Sequence, residues 1–148
     1  MKKPNYIPPR IILSSPSIYN EYYDNSHDRY NVHPDCIFVF GSNLAGIHGK
    51  GAALAARRQY GAKLGHGVGF TGRAYAIPTK DEYLEVLPIE FIEPYIRRFV
   101  KLTQEGKHRF FVTAVGCGLA GYHPSQIAPL FRGVQYCYLP YTWLPYLL

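Results

Sequence analysis

The stretch that most restricts this chain is "CIFVFGSNLAGIHGKGAALAARRQYG", from Cys36 to Gly61. Its opening run of β-branched and aromatic residues reads as a buried strand. Gly41, Gly46, Gly49 and Gly51 follow at once, and then a segment dominated by alanine. Gly51 to Tyr60 is helical by propensity, with Gly61 as its stop. Glycine after a strand admits positive φ and lets backbone N–H groups come close to a ligand. A loop that leads into a helix N-terminus offers unpaired N–H groups to an anion. The glycines therefore make room for a ligand, and the alanines let the helix lie close to the sheet.

The alternation continues downstream. "AYAI" reads as a second buried strand, closed by Pro78. Ile89, Ile92, Ile96, Phe99 and Val100 follow helical spacing. Pro94 is unwelcome inside a helix, so the main helix is expected to start near Glu93 after a separate turn. "RFFVTAV" is a third strand, "SQIAPLF" a short helical piece disturbed by proline, and "VQYCYL" a last strand. The apolar tail "PYTWLPYLL" must cover something. Residues 1–34, rich in Tyr, Asn and Asp, read as an extended or looped arm whose tyrosines pack on the domain. Strands alternating with helices predict one α/β domain with a mixed or largely parallel sheet.

At 148 residues the chain suits a single domain with a real core. No apolar run reaches the roughly 20 residues needed to span a bilayer, and "MKKPNYIPPR" lacks the apolar core of a secretory signal. Three cysteines far apart suggest reduced thiols in a cytoplasmic setting. His33 and Cys36 make half a metal pair with no second half, so neither metal nor cofactor is expected. The formal charge of +6 favours anionic partners, nucleic acid included. The pairs Arg57-Arg58 and Arg97-Arg98 fall in predicted helices, where a solvated face is the ordinary reading.

Three glycine-rich loops adjoin predicted strands: 41–51, 65–72 and 116–121. All three are candidate ligand loops, because open α/β sheets bind ligands beyond the carboxyl ends of their strands. Two such loops facing each other make a cleft for a diphosphate. The first has neither the spacing of a nucleoside-triphosphate loop nor that of a dinucleotide fingerprint.

In this order, "GSNLAGIHGKGAALAARRQYGA", "GVGFTGRAYAIPTKD" and "FFVTAVGCGLAGYHPSQIAPLF" resemble the three signature segments of macro domains, the ADP-ribose-binding α/β/α family. The resemblance covers about residues 36–132. "GKGAA", Pro78-Thr79-Lys80 and Gly116 to Gly121 look most like bacterial DNA ADP-ribosyl glycohydrolase antitoxins and terminal ADP-ribose glycohydrolases, and like macro-like proteins of phages. It implies a three-layer α/β/α domain over 35–148 with a mixed, mostly parallel sheet, preceded by the arm.

By that resemblance Asn43 contacts the distal ribose, and Gly49, Lys50, Gly51 and Ala52 line the first loop beside Thr79. Gly116, Cys117, Gly118, Leu119, Ala120, Gly121 and Tyr122 wrap the diphosphate. Lys80 matches the catalytic lysine, an amine that can attack C1″ when its charge is suppressed, with Asp81 either orienting it or serving a turn. The implied partner is ADP-ribose or an ADP-ribosylated macromolecule, DNA or protein. No membrane is implied, and the arm or tail is available for oligomer contacts.

The sequence departs from the pattern after Phe40, where Gly41 and Ser42 stand in place of an adenine-binding acid, and in the third loop, which has no carboxylate. These departures favour binding over turnover. A non-catalytic binder and an assembly protein that retains only the fold stand beside the glycohydrolase reading. His48, His66 and His123 are ordinarily polar loop residues, and Cys117 a buried, inert thiol.

Overall fold

Alternation along the strands decides the layers. The computed structural model describes residues 11–14, 20–24 and 35–147. Within them, seven strands form one sheet: β1 (Ile11–Ser14), β2 (Glu21–Tyr23), β3 (Cys36–Asn43), β4 (Gly69–Thr71), β5 (Ala74–Lys80), β6 (Arg109–Val112) and β7 (Cys137–Pro140). Their order is β1-β2-β7-β6-β3-β5-β4. The β1–β2 and β4–β5 pairs are antiparallel, and the four pairs between them are parallel. The expected mixed, mostly parallel sheet is what forms.

Because successive side chains point to opposite faces, β3 sends Phe38 and Phe40 one way and Ile37 and Val39 the other. β5 splits likewise into Ala74 and Ala76 against Tyr75 and Ile77. Helix α1 (Gly51–Tyr60) covers the first face and α2 (Ile89–Thr103) the second. Two one-turn helices, α3 (Pro124–Ile127) and α4 (Leu144–Leu147), complete the second layer. Both faces of the sheet are therefore buried, which suits parallel strands.

Under α1 the sheet is large on β3 and β6 and small on β5. Phe38 lies beside Ala74 on β5 and Phe111 on β6, and Phe40 lies beside Ala76. Ala55 and Ala56 of α1 are buried on this surface, and Tyr60 stacks on Phe38 with ring centroids 4.4 Å apart. Phenylalanines standing up from the sheet leave space only for small side chains on the helix.

Three expectations are corrected. Helix α2 does not begin near Glu93; it runs from Ile89 through Pro94. The lost hydrogen bond is the one to the Glu90 carbonyl, near the helix start on an exposed face. Burial of Ile92, Ile96, Phe99 and Val100 outweighs it. Pro78 does not close β5, which continues to Lys80. The β4 ladder covers only Ala74 to Ala76, so β5 is unpaired on that side at Pro78 and a missing N–H is tolerated.

The described parts of the expected arm, third, are strands of the same sheet. Tyr23 is buried, with its ring 4.2 Å from Phe111 and its hydroxyl donating to the Val112 carbonyl at 2.8 Å. Asn20 bridges to β7 by donating to Val134 O at 2.7 Å and accepting from Cys137 N at 3.0 Å. The rest of the arm, His33 included, lies outside the described residues.

The apolar tail does cover the core, as expected: Trp143 is fully buried, with its ring 4.9 Å from Phe131. Among the described residues, no helix is long and apolar enough to cross a membrane.

The fit between helix and sheet has a direct test. Ala56 has no exposed surface, so Ala56→Leu should overpack the layer and cost about 1–3 kcal/mol. The urea midpoint should fall with an unchanged m-value.

Candidate ligand-binding cleft

Strands β3, β5 and β6 run parallel, so Asn43, Lys80 and Val112 end at one edge of the sheet. The loops beyond them enclose a cavity of about 840 Å3. The first loop and the start of α1 supply Asn43, Ile47, Gly49, Lys50, Gly51, Ala52 and Ala53; β5 and the turn after it supply Thr79, Lys80 and Leu84. Thr113 to Ala120 form a third wall, and Tyr23, Pro124 and Thr142 also line the cavity.

The first loop is held by its own asparagine. Asn43 Nδ2 donates to the Ile47 carbonyl at 2.8 Å, and Oδ1 accepts the Ile47 N–H at 3.0 Å. Asn43 thus lines the cavity while its polar atoms shape the loop. His48 is turned inward: it is buried, lies edge-on to Phe40, and hydrogen-bonds through Nε2 to the Lys63 carbonyl at 2.9 Å. A carbonyl can only accept, so Nε2 carries the proton and Nδ1 is left as a buried acceptor without a partner.

The second glycine loop contributes nothing to the lining, which corrects its reading as a ligand loop. It serves instead as a buttress behind the first. A Cβ on Gly67 would sit 2.0 Å from the Asn43 carbonyl oxygen, and one on Gly46 would sit 2.4 Å from Gly65 backbone. Ser42 Oγ donates to the Gly67 carbonyl, and Gly65 N–H to Gly46 O at 2.9 Å. Glycine is needed there for backbone contact, not for a ligand.

Helix α1 begins at the cavity wall. Lys50 occupies its N-cap position without a side-chain cap, and no acidic residue stands in the first turn. The first intrahelical bond is Leu54 N–H to Lys50 O at 3.2 Å, so the N–H groups of Gly51, Ala52 and Ala53 have no helical partner. The helix dipole adds partial positive charge at the same place.

Across the cavity, the third loop closes on itself by Cys117 N–H to Ala114 O at 3.0 Å and Tyr122 N–H to Gly116 O at 2.9 Å. Among the described residues, the N–H groups of Gly118, Leu119 and Ala120 make no such bond. Gly121 and Tyr122, expected to wrap the ligand, do not line the cavity. Gly121 N–H turns back to Gly118 O, and the Tyr122 hydroxyl donates to the Leu87 carbonyl.

Among the described residues, Lys50 and Lys80 are the charged side chains of the lining, and no Asp, Glu or His joins them. Asp81 is outside the lining too. Its Oδ1 accepts the N–H groups of Tyr83 at 2.8 Å and Glu85 at 2.9 Å, so it organises a turn and does not orient Lys80. That turn holds Leu84 at φ 66 against the cavity. His123 caps α3 by accepting the Ser125 N–H at 3.1 Å, and His66 is exposed. Tyr23, Thr113 and Thr142 were missed because each arrives from a separate strand end; the one sequence cue was Thr113 directly after "RFFV".

Burial pushes the Cys117 thiol up to about 11. The Trp143 indole N–H, which makes no full hydrogen bond, opposes part of that rise. The sulfur is protonated at neutral pH and is no nucleophile. Among the described residues, no group of three or more His, Cys, Asp or Glu is placed to hold a metal.

Two outcomes follow from this geometry. Gly67→Ala should cost about 3 kcal/mol, because backbone must move, whereas Gly118→Ala, whose Cβ meets nothing within 4 Å, should stay within about 0.5 kcal/mol of the parent; paired urea melts decide. The folded-state thiols of Cys36 and Cys117 titrate near 11 against an ordinary 9.0. Their contribution is complete below pH 9 and disappears as pH rises to about 11. The thermal midpoint should therefore fall across that window, and fall less in Cys117→Ala.

Comparison with protein-family models, with curated proteins and with solved structures found no match for the chain.

Proposed function

We propose that the cavity binds ADP-ribose or an ADP-ribosyl group, with the diphosphate held between the start of α1 and the third loop. One observation carries the reading. Among the described residues, two stretches whose N–H groups have no backbone partner, Gly51 to Ala53 and Gly118 to Ala120, line one cavity, together with two lysines as its charged side chains. Such a wall suits an anion that spans the gap, and about 840 Å3 is within the range of cofactor sites. Ile47, Leu84 and Leu119 offer apolar surface to the sugar or base. The macro-domain resemblance points to the same ligand. Cys36, Cys117 and Cys137 are free thiols, which suits a cytoplasmic setting in a bacterium or a phage-infected cell.

In the glycohydrolase form of this reading, the neutral Lys80 amine attacks C1″, and the bond to the linked base or side chain breaks with the leaving atom taking up the proton the amine gives up. Water then cleaves the Lys80–C1″ bond to release ADP-ribose and restore the amine. Binding without turnover is the second reading. It is favoured by the lining itself, where no carboxylate among the described residues stands ready to exchange a proton with the leaving group.

Calorimetric titration with ADP-ribose separates these cases. Binding with a dissociation constant of roughly micromolar, about −8 kcal/mol, is expected. Gly118→Glu should weaken it at least about 100-fold, since like charges brought together cost several kcal/mol. Lys80→Ala should abolish release of ADP-ribose from an ADP-ribosylated oligonucleotide or protein if the domain is a glycohydrolase. Parent protein that binds but releases nothing is a binder only. No heat with ADP-ribose would overturn the proposal and leave the assembly reading.

A further inference from the structure

The formal charge is unevenly distributed. Between Cys36 and Lys80 the chain has Lys50, Arg57, Arg58, Lys63, Arg73 and Lys80 and no Asp or Glu, so this segment alone carries a charge equal to the +6 of the whole chain. From Asp81 to Glu105 the balance reverses, with six acidic residues against three basic ones. Folding turns this into a spatial separation. The basic segment forms β3, α1, β4 and β5, with α1 on one face of the sheet; the acidic one leads into α2 on the other.

Within the basic segment the cations divide between the two ends of α1. Lys50 and Lys80 line the cavity at its start. Arg57 and Arg58 in its last turn, and Lys63 just beyond, are exposed and make no ion pair among the described residues. Arg73 joins them because Gly72 packs on Gly61: its N–H donates to Tyr60 O at 2.7 Å, and its guanidinium to Gln59 O at 3.3 Å. Ten residues of helix span about 15 Å, which separates this pole from the cavity.

We propose that the pole formed by Arg57, Arg58, Lys63 and Arg73 binds the phosphodiester backbone of nucleic acid, independently of what occupies the cavity. Complementing the helix dipole explains cations in the last turn of α1, but not the exclusion of every acidic residue from Cys36 to Lys80. Arg and Lys contacts to phosphate sustain binding without an apolar centre, which a protein partner requires. The apolar face of α1 is already spent on the sheet, so the helix has none to insert into a lipid surface.

The test is fluorescence anisotropy with a labelled mixed-sequence DNA 20-mer, single- and double-stranded, on the full chain and on the triple variant R57A/R58A/K63A. The parent should bind, and its affinity for the duplex should weaken on the order of 150-fold between 50 and 200 mM salt, as four phosphate contacts dictate. The variant should lose most of both the affinity and the salt dependence, with unchanged calorimetric response to ADP-ribose and an unchanged melt. Equal DNA binding by parent and variant, or none by the parent, overturns the proposal. So does tighter retention on phosphatidylserine vesicles or polyglutamate than on DNA. Because the ADP-ribose titration reads the cavity alone, failure there leaves this result standing, and the reverse holds.

Discussion

Everything about the cavity depends on β3 being hydrogen-bonded in parallel on both sides. A parallel neighbour needs a crossover, and crossovers are right-handed. The chain leaves β3 and reaches β5 on one side by way of α1; it then returns past β3 to β6 on the other side by way of α2. Reversing direction puts the two helices on opposite faces of the sheet. It also splits the loops after β3 and β6 apart at their shared edge, which is where open α/β sheets form their crevices. The cavity opens at that point, between the first and third glycine loops.

Glycine then serves two different purposes in one small region. In the third loop, Gly118 keeps a wall open toward the cavity, with nothing near its missing side chain. Gly46 and Gly67 bring two loops into backbone contact, so that the first loop is rigid before any ligand arrives. Asn43 and His48 add to the same rigidity through hydrogen bonds to Ile47 and Lys63. A preformed loop loses little conformational freedom on binding, which favours affinity. Charge is organised on the same scaffold: lysines at the start of α1 and arginines at its end make one helix connect two cationic regions.

Much of this was legible from local pattern. Cys36 to Phe40, Phe110 to Val112 and the stripe Ile92, Ile96, Phe99 and Val100 formed the expected elements because burial on two faces demands apolar runs there. Asn43, Gly49 to Ala52, Thr79, Lys80 and Gly116 to Ala120 do meet around one cavity. Local pattern misled where a single residue was read without its neighbours. Pro78 and Pro94 were given too much weight, since neither stands where its N–H was needed by a strand or buried turn. Asp81, expected either to orient Lys80 or to serve a turn, serves the turn. Gly121 and Tyr122 looked like ligand residues by position, yet their hydrogen bonds go to Gly118, Gly116 and Leu87.

The sequence by itself determined the central strands β3, β5, β6 and β7, helix α1 and the body of α2, and also the glycine placement and segregation of charge, because each follows from residues adjacent in the chain; β1, β2 and β4 did not show in it. Tertiary structure alone decided which glycine loop lines the cavity and which lies behind it, since Gly67 and Asn43 are far apart in the chain and meet only in the folded sheet. It alone placed Tyr23, Leu84 and Thr142 in the lining. These three come from the beginning, middle and end of the chain, and no local propensity encodes which distant strand ends will share an edge.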